Sequence, residues 1–155
     1  MYYRDLSNYS YHLTKPIPKA KNVGWLDAAH EFPKGEVSPA LLEKLRALII
    51  GTKDSDVIVN KVRCIHPCNF CGLENVVLSG VHRKVHLGMS QIWIPDIGPN
   101  RFFAAPSMIL HYIEKHQYRP PSTFLDAIEH FEINGPFNGQ TAYTDSVAQL
   151  GRVYF

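Results

Sequence analysis

Cysteine is scarce in this 155-residue chain: three residues, all between Cys64 and Cys71. So small, odd and closely spaced a set does not make a disulfide framework, and metal binding is the better reading. No stretch approaches ~18 consecutive apolar residues, so no membrane-spanning helix is expected. Residues Met1 to Asp5 carry no basic region followed by an apolar run. No signal peptide is expected, and the chain reads as cytoplasmic. A basic stripe is missing too, since the formal net charge is +2 and the lysines and arginines are scattered. That argues against a dedicated nucleic-acid domain. There is no phosphate-binding glycine loop and no G-x-S-x-G elbow. Pro67-Cys68-x-x-Cys71 matches half of the zinc-deaminase signature, but the upstream H-x-E is lacking: His30-Glu31 has no intervening residue.

What is present fits one globular domain over residues 1–155, with 45% hydrophobic and 19% charged residues. Residues 2–20, rich in tyrosine and proline, read as an extended arm laid over the domain. Residues 22–26 make a short apolar piece with strand character. A helix is signalled by Ser38 as N-cap, Pro39 at the first position and Gly51 as stop, with Leu41, Leu45 and Leu48 on one stripe. Val76 to Ser79 and Val81 to Leu87 read as short strands. Gln91 to Pro95 and Arg101 to Ala105 read as a hairpin around a run of turn residues. A second helix is expected from Pro106 to about His116. A third, from Ser122 or Thr123 to Ile133, has Thr123 and Asp126 placed as a capping box. Residues 135–155 form a tail packed on the domain, with a weak pattern ending in Val153-Tyr154-Phe155. The expected class is α+β: a small antiparallel sheet with about three helices.

Cys68-Asn69-Phe70-Cys71-Gly72 has the form of a zinc knuckle, in which two thiolates grip one ion across a tight turn. The glycine is expected to let backbone amides approach the sulfurs. Zn2+ needs two further ligands, to be drawn from Cys64, His66, His82, His86, His111 and His116. A Cys2His2 finger using His82 and His86 requires a helix, whereas Val81, Val85 and Leu87 alternate as in a strand. His111 and His116 fall on the second expected helix at zinc-ligand spacing. Knuckle, hairpin and ligand-bearing helix then follow in the order of treble-clef-like fingers. An ideal helix, however, sets those two histidines about 140° apart. Both reach one ion only if the last turn loosens, which Pro120-Pro121 favours; otherwise His66 replaces one of them. For any single histidine, the plain alternative is a satisfied or exposed side chain.

Several segments resemble an uncharacterised family of small bacterial proteins. They are Val23-Gly24-Trp25-Leu26, His66-x-Cys68-x-Phe70-Cys71, Gln91-Ile92-Trp93-Ile94-Pro95, Phe103-Ala104-Ala105-Pro106, and His111-Tyr112-Ile113-x-x-His116-x-Tyr118-x-Pro120-Pro121. The resemblance runs from about Tyr2 to His130. It implies that His66, Cys68, Cys71, His111 and His116 belong together, and it implies no activity.

The functional expectation is a non-catalytic, zinc-stabilised protein-binding module, of the kind encoded beside a toxin or other effector as an immunity or accessory protein. The second reading is nucleic-acid binding, with Trp93, Phe102, Tyr112 and Tyr118 stacking on bases and Arg101, Lys115 and Arg119 on phosphates. Core packing of the same aromatics is the favoured alternative to that surface. A metal-dependent hydrolase, the third reading, needs an open coordination position.

Overall fold

The computed structural model of the chain describes residues 1–81 and 83–152, with side chains described to residue 150. His82, one half of the alternative finger, and the Val153-Tyr154-Phe155 end of the tail lie outside the described residues.

The class is α+β. A five-stranded sheet is built from β1 (Asn8–Tyr9), β2 (Ile17–Asn22), β3 (Ile58–Val59), β6 (Gln91–Pro95) and β7 (Phe102–Pro106), in the order β1-β2-β7-β6-β3. A separate two-stranded sheet pairs β4 (Val77–Ser79) with β5 (Lys84–His86). The helices are α1 (Pro39–Ile50), α2 (Ile109–His116), α3 (Ser122–His130) and α4 (Gly139–Arg152).

α1 forms where its signals place it, with the Ser38 hydroxyl accepting from the Leu41 amide. The β6–β7 hairpin pairs Gln91 with Pro106 through to Pro95 with Phe102. Three features differ from expectation. The main sheet is mixed rather than antiparallel, because β2 runs parallel to β7 with Ala20 opposite Phe102. Parallel strands need a long crossover, and the intervening chain, α1 included, supplies one. The arm is therefore a working part of the sheet. Pro18 is tolerated in β2 because it falls where the ladder to β1 shifts register, between the Ile17 and Lys21 pairs. Next, α2 begins at Ile109 rather than Pro106, which ends β7, and α3 stops at His130 with no side-chain cap, so Thr123 and Asp126 form no capping box. Finally, the tail contains a fourth helix. Asn138 caps α4, its Oδ1 accepting from the Thr141 amide at 2.9 Å.

Both faces of the sheet are covered, which is why β6 is apolar at consecutive positions rather than alternating. Ile92, Ile94, Phe103 and Ala105 face a core made with α1, α2, α3 and the β4–β5 hairpin. Trp93 and Ala104 face the other way, against Tyr9, Ile17 and Trp25, with Tyr143, Val147 and Leu150 of α4 packed outside them. The two layers bring the loop before β4 and the end of α2 to one side of the molecule.

Candidate metal centre

Cys68 and Cys71 lie on a tight turn between β3 and β4. The Gly72 amide donates to the Cys68 carbonyl at 2.9 Å, and the Cys68 amide to the Leu73 carbonyl at 3.0 Å. The Phe70 amide points at the Cys68 Sγ, 3.4 Å away. Gly72 serves here through its dihedral rather than through clearance: φ is +71°, and a Cβ added there would meet nothing within 4 Å.

α2 supplies the opposite half. Its last turn is widened: the Gln117 amide reaches the Tyr112 carbonyl five residues back, in place of the usual four, and Gln117 itself is left-handed (φ 59°, ψ 23°). The Tyr118 amide meets the same carbonyl at 3.2 Å. A π-type turn advances less per residue than an α-turn. It therefore swings His116 back toward His111, removing the angular conflict of the ideal helix. The rings come to 5.1 Å between centroids. His111 Nε2 lies 3.4 Å from Cys71 Sγ, and His116 Nε2 lies 3.3 Å from Cys68 Sγ.

One ligand atom from each of Cys68, Cys71, His111 and His116 lies within 4.8 Å of the other three, so the cluster could hold a metal ion. A tetrahedral ion with metal–sulfur bonds of about 2.3 Å and metal–nitrogen bonds of about 2.0 Å has S···N edges of roughly 3.5 Å. The two S···N separations match that edge. Electrostatics agree with the donor set. Burial, and then the neighbouring His116, hold His111 below its ordinary pKa, which keeps the imidazole neutral as a ligand requires. Burial raises the Cys68 thiol, with the Phe70 and Cys71 amides opposing it; a bound cation would draw the thiolate out. Tyr112, between the two histidines, is pushed up to about 12 by burial and then by the two sulfurs. Phe70 packs beside the cluster, 5.1 Å from the His116 ring and 5.6 Å from that of Tyr112, while Cys71 is exposed.

A family model described as Domain of unknown function (DUF7919) matches residues 1–129. The chain belongs to that family. The match takes in the whole metal cluster and stops before α4 of this DUF7919 chain. No curated protein and no solved structure matches it. Among the described residues, no helix is long and apolar enough to cross a membrane.

Of the other ligand candidates, His66 is exposed and outside the cluster, its amide donating to the Gly88 carbonyl at 2.9 Å. Cys64 is an exposed free thiol, and His86 is exposed on β5. The stacking surface is not available: Trp93 and Tyr118 are 0% exposed and Tyr112 is 4% exposed, because two covered sheet faces draw the aromatics inward. Arg119 is exposed, but its guanidinium is engaged by the Glu36 carbonyl.

Sequence reasoning missed Asp5. Its Oδ2 accepts from the Tyr118 hydroxyl at 2.8 Å and its Oδ1 from the Gly24 amide at 3.0 Å, and burial raises its pKa. Gly24 is required there: its φ is +76° and a Cβ would lie 2.7 Å from Ile109 Cδ1. The Asp5–Tyr118 contact spans 113 residues, and no local pattern announces a bond of that range.

Proposed function

We propose that this DUF7919 chain is a non-catalytic protein-binding module whose fold is fastened by one Zn2+ on Cys68, Cys71, His111 and His116. The observation that carries the reading is the gathering of the donor set: two sulfurs and two imidazole nitrogens within 4.8 Å of one another, with two S···N separations of 3.3 and 3.4 Å at the length of a tetrahedral edge. Thiolate and imidazole donors in that geometry suit Zn2+. Four protein ligands fill every tetrahedral position, leaving none for a substrate or an activated water. That counts against a hydrolase. The burial of Trp93, Tyr112 and Tyr118 counts against base stacking.

A protein partner is favoured by what surrounds the metal turn. Of eight exposed large apolar side chains among the described residues, five fall between Val62 and Val81: Val62, Ile65, Leu73, Val77 and Val81. Single exposed apolar residues are ordinary, whereas a gathering on one stretch marks an interaction surface. Val81, 94% exposed, is the extreme case. The ion would hold this stretch in one shape for a partner.

The test has two arms. Elemental analysis of protein purified without chelator should give one zinc per chain, and sub-stoichiometric metal in fully folded protein sinks the fastening. Affinity capture should retrieve one discrete protein that the Leu73→Asp, Val81→Asp double variant fails to retain. Retention by the variant sinks the surface. Oligonucleotide binding that weakens steeply with salt would replace the reading with a nucleic-acid one.

A further inference from the structure

A cavity of about 480 Å3 opens between the metal turn and the aromatic side of the sheet, apart from the four ligands. Small-molecule sites run from roughly 300 to 1,000 Å3, so the volume suits a compact ligand. Its walls carry flat rings. Trp25 and Tyr11, both lining it, stack on each other at 5.2 Å with 29° between planes. Trp25 is fixed in place by its Nε1, which donates to the Ala104 carbonyl at 3.0 Å. The Trp25 ring is thus held in place before any ligand arrives, which lowers the entropic cost of binding.

Polar groups on the wall are few and directed. Gln91, 6% exposed, lines the cavity while its Oε1 accepts from the Tyr9 hydroxyl at 2.6 Å. That bond orients the amide and leaves Nε2 on the cavity side as the donor for a ligand. Asn69 is the converse: its Nδ2 donates to the Leu26 carbonyl at 2.7 Å, leaving Oδ1 as an acceptor. No aspartate, glutamate, lysine or arginine lines the cavity. A cation entering it would lose hydration and meet no carboxylate, and the wall residues able to carry positive charge are confined to Met1, at its terminus, His12 and His66. Two lining residues, His12 and Asn60, hold left-handed backbone at φ 58° and 51°. Such non-glycine strain gathers at ligand sites.

We propose that this cavity binds a small, uncharged, flat heteroaromatic molecule, stacked on the Tyr11–Trp25 pair and hydrogen-bonded by the Gln91 amide. The inference is independent of the protein-binding reading and uses the zinc-loaded chain. The experiment is calorimetric titration with adenosine and with indole, and with n-octanol as an aliphatic probe. At least one of the two heteroaromatics should bind saturably, more tightly than octanol, and should slow alkylation of Cys64, which lines the same cavity. Val62→Trp fills the mouth from a position 45% exposed, so the fold is not at stake. It should weaken binding roughly tenfold or more at unchanged melting temperature. Gln91→Leu should also weaken it, and its melting curve separates lost affinity from lost fold. Absence of saturable binding by both heteroaromatics overturns the proposal. So does octanol binding more tightly than either, or affinity unchanged in Val62→Trp.

Discussion

The two faces of the sheet are held by different means. On the metal side, aliphatic residues of α1, α2, α3 and the β4–β5 hairpin pack on Ile92, Ile94 and Phe103, and the turn at Cys68 is tied to α2 through the four-residue cluster. On the other side the binding is aromatic: Trp93 meets Tyr9 at 5.4 Å and Tyr143 at 5.5 Å, both edge-on. One face adds a single localised fastening, the four-residue cluster, to its packed core, while the other relies on ring contacts worth about 0.5–1.5 kcal/mol each beyond their buried area. The metal face should therefore fail abruptly and the aromatic face by degrees.

Stripping the proposed ion is the sharpest way to break that contrast. A structural zinc contributes on the order of 10 kcal/mol, comparable to a whole domain's net stability of roughly 5–15 kcal/mol. Chelation at neutral pH, or Cys68→Ser, should lower the melting temperature steeply. Amide exchange should then rise first in residues 64–73 and 109–118, while β2 and β7 stay protected longest. Uniform loss of protection would mean the two faces are one cooperative unit. Trp93→Ala is the strongest single blow to the other face. Trp93 is fully buried, and its removal should cost about 3–5 kcal/mol in denaturant unfolding with zinc content unchanged. Tyr118→Phe removes the hydroxyl that the Asp5 carboxylate accepts from, for about 1–3 kcal/mol. The smallest effect concerns pH. The folded-state pKa of Asp5 lies above its ordinary 3.8, so the folded chain keeps that proton longer than the unfolded one. Its contribution is then present below about pH 3.8 and declines as pH rises through the folded value. Asp5→Asn should flatten that slope, and an unchanged pH–stability curve would remove Asp5 from the account.

The same contrast separates what could be read from the sequence from what could not. α1, the β6–β7 hairpin and the Cys68–Cys71 turn were legible because caps, turn residues and spacing are local signals. The pairing of His111 with His116 was legible only as a condition, since sequence spacing implies an ideal helix and the widened turn at Gln117 exists only in the folded chain. α4 went unread although Asn138 marks its start. Its inward residues Ala142, Tyr143, Val147 and Leu150 are thinly spread among polar ones and make no dense stripe. The burial of Trp93 followed from a second covered face that α4 and the arm create, and that of Tyr118 from packing in the core on the metal side. The parallel pairing of β2 with β7 is set by tertiary contact alone.

The end of α2 joins two distant ties, from His116 to Cys68 across 48 residues and from Tyr118 to Asp5 across 113. During synthesis, which proceeds at about 5–20 residues per second, neither can close until this helix has left the ribosome. For that interval the Cys68 and Cys71 thiols travel without their imidazole partners, and the first strands wait without their anchor. Assembly of this domain is thus a late event, timed by one helix terminus and open until then to the metal and oxidant content of its surroundings.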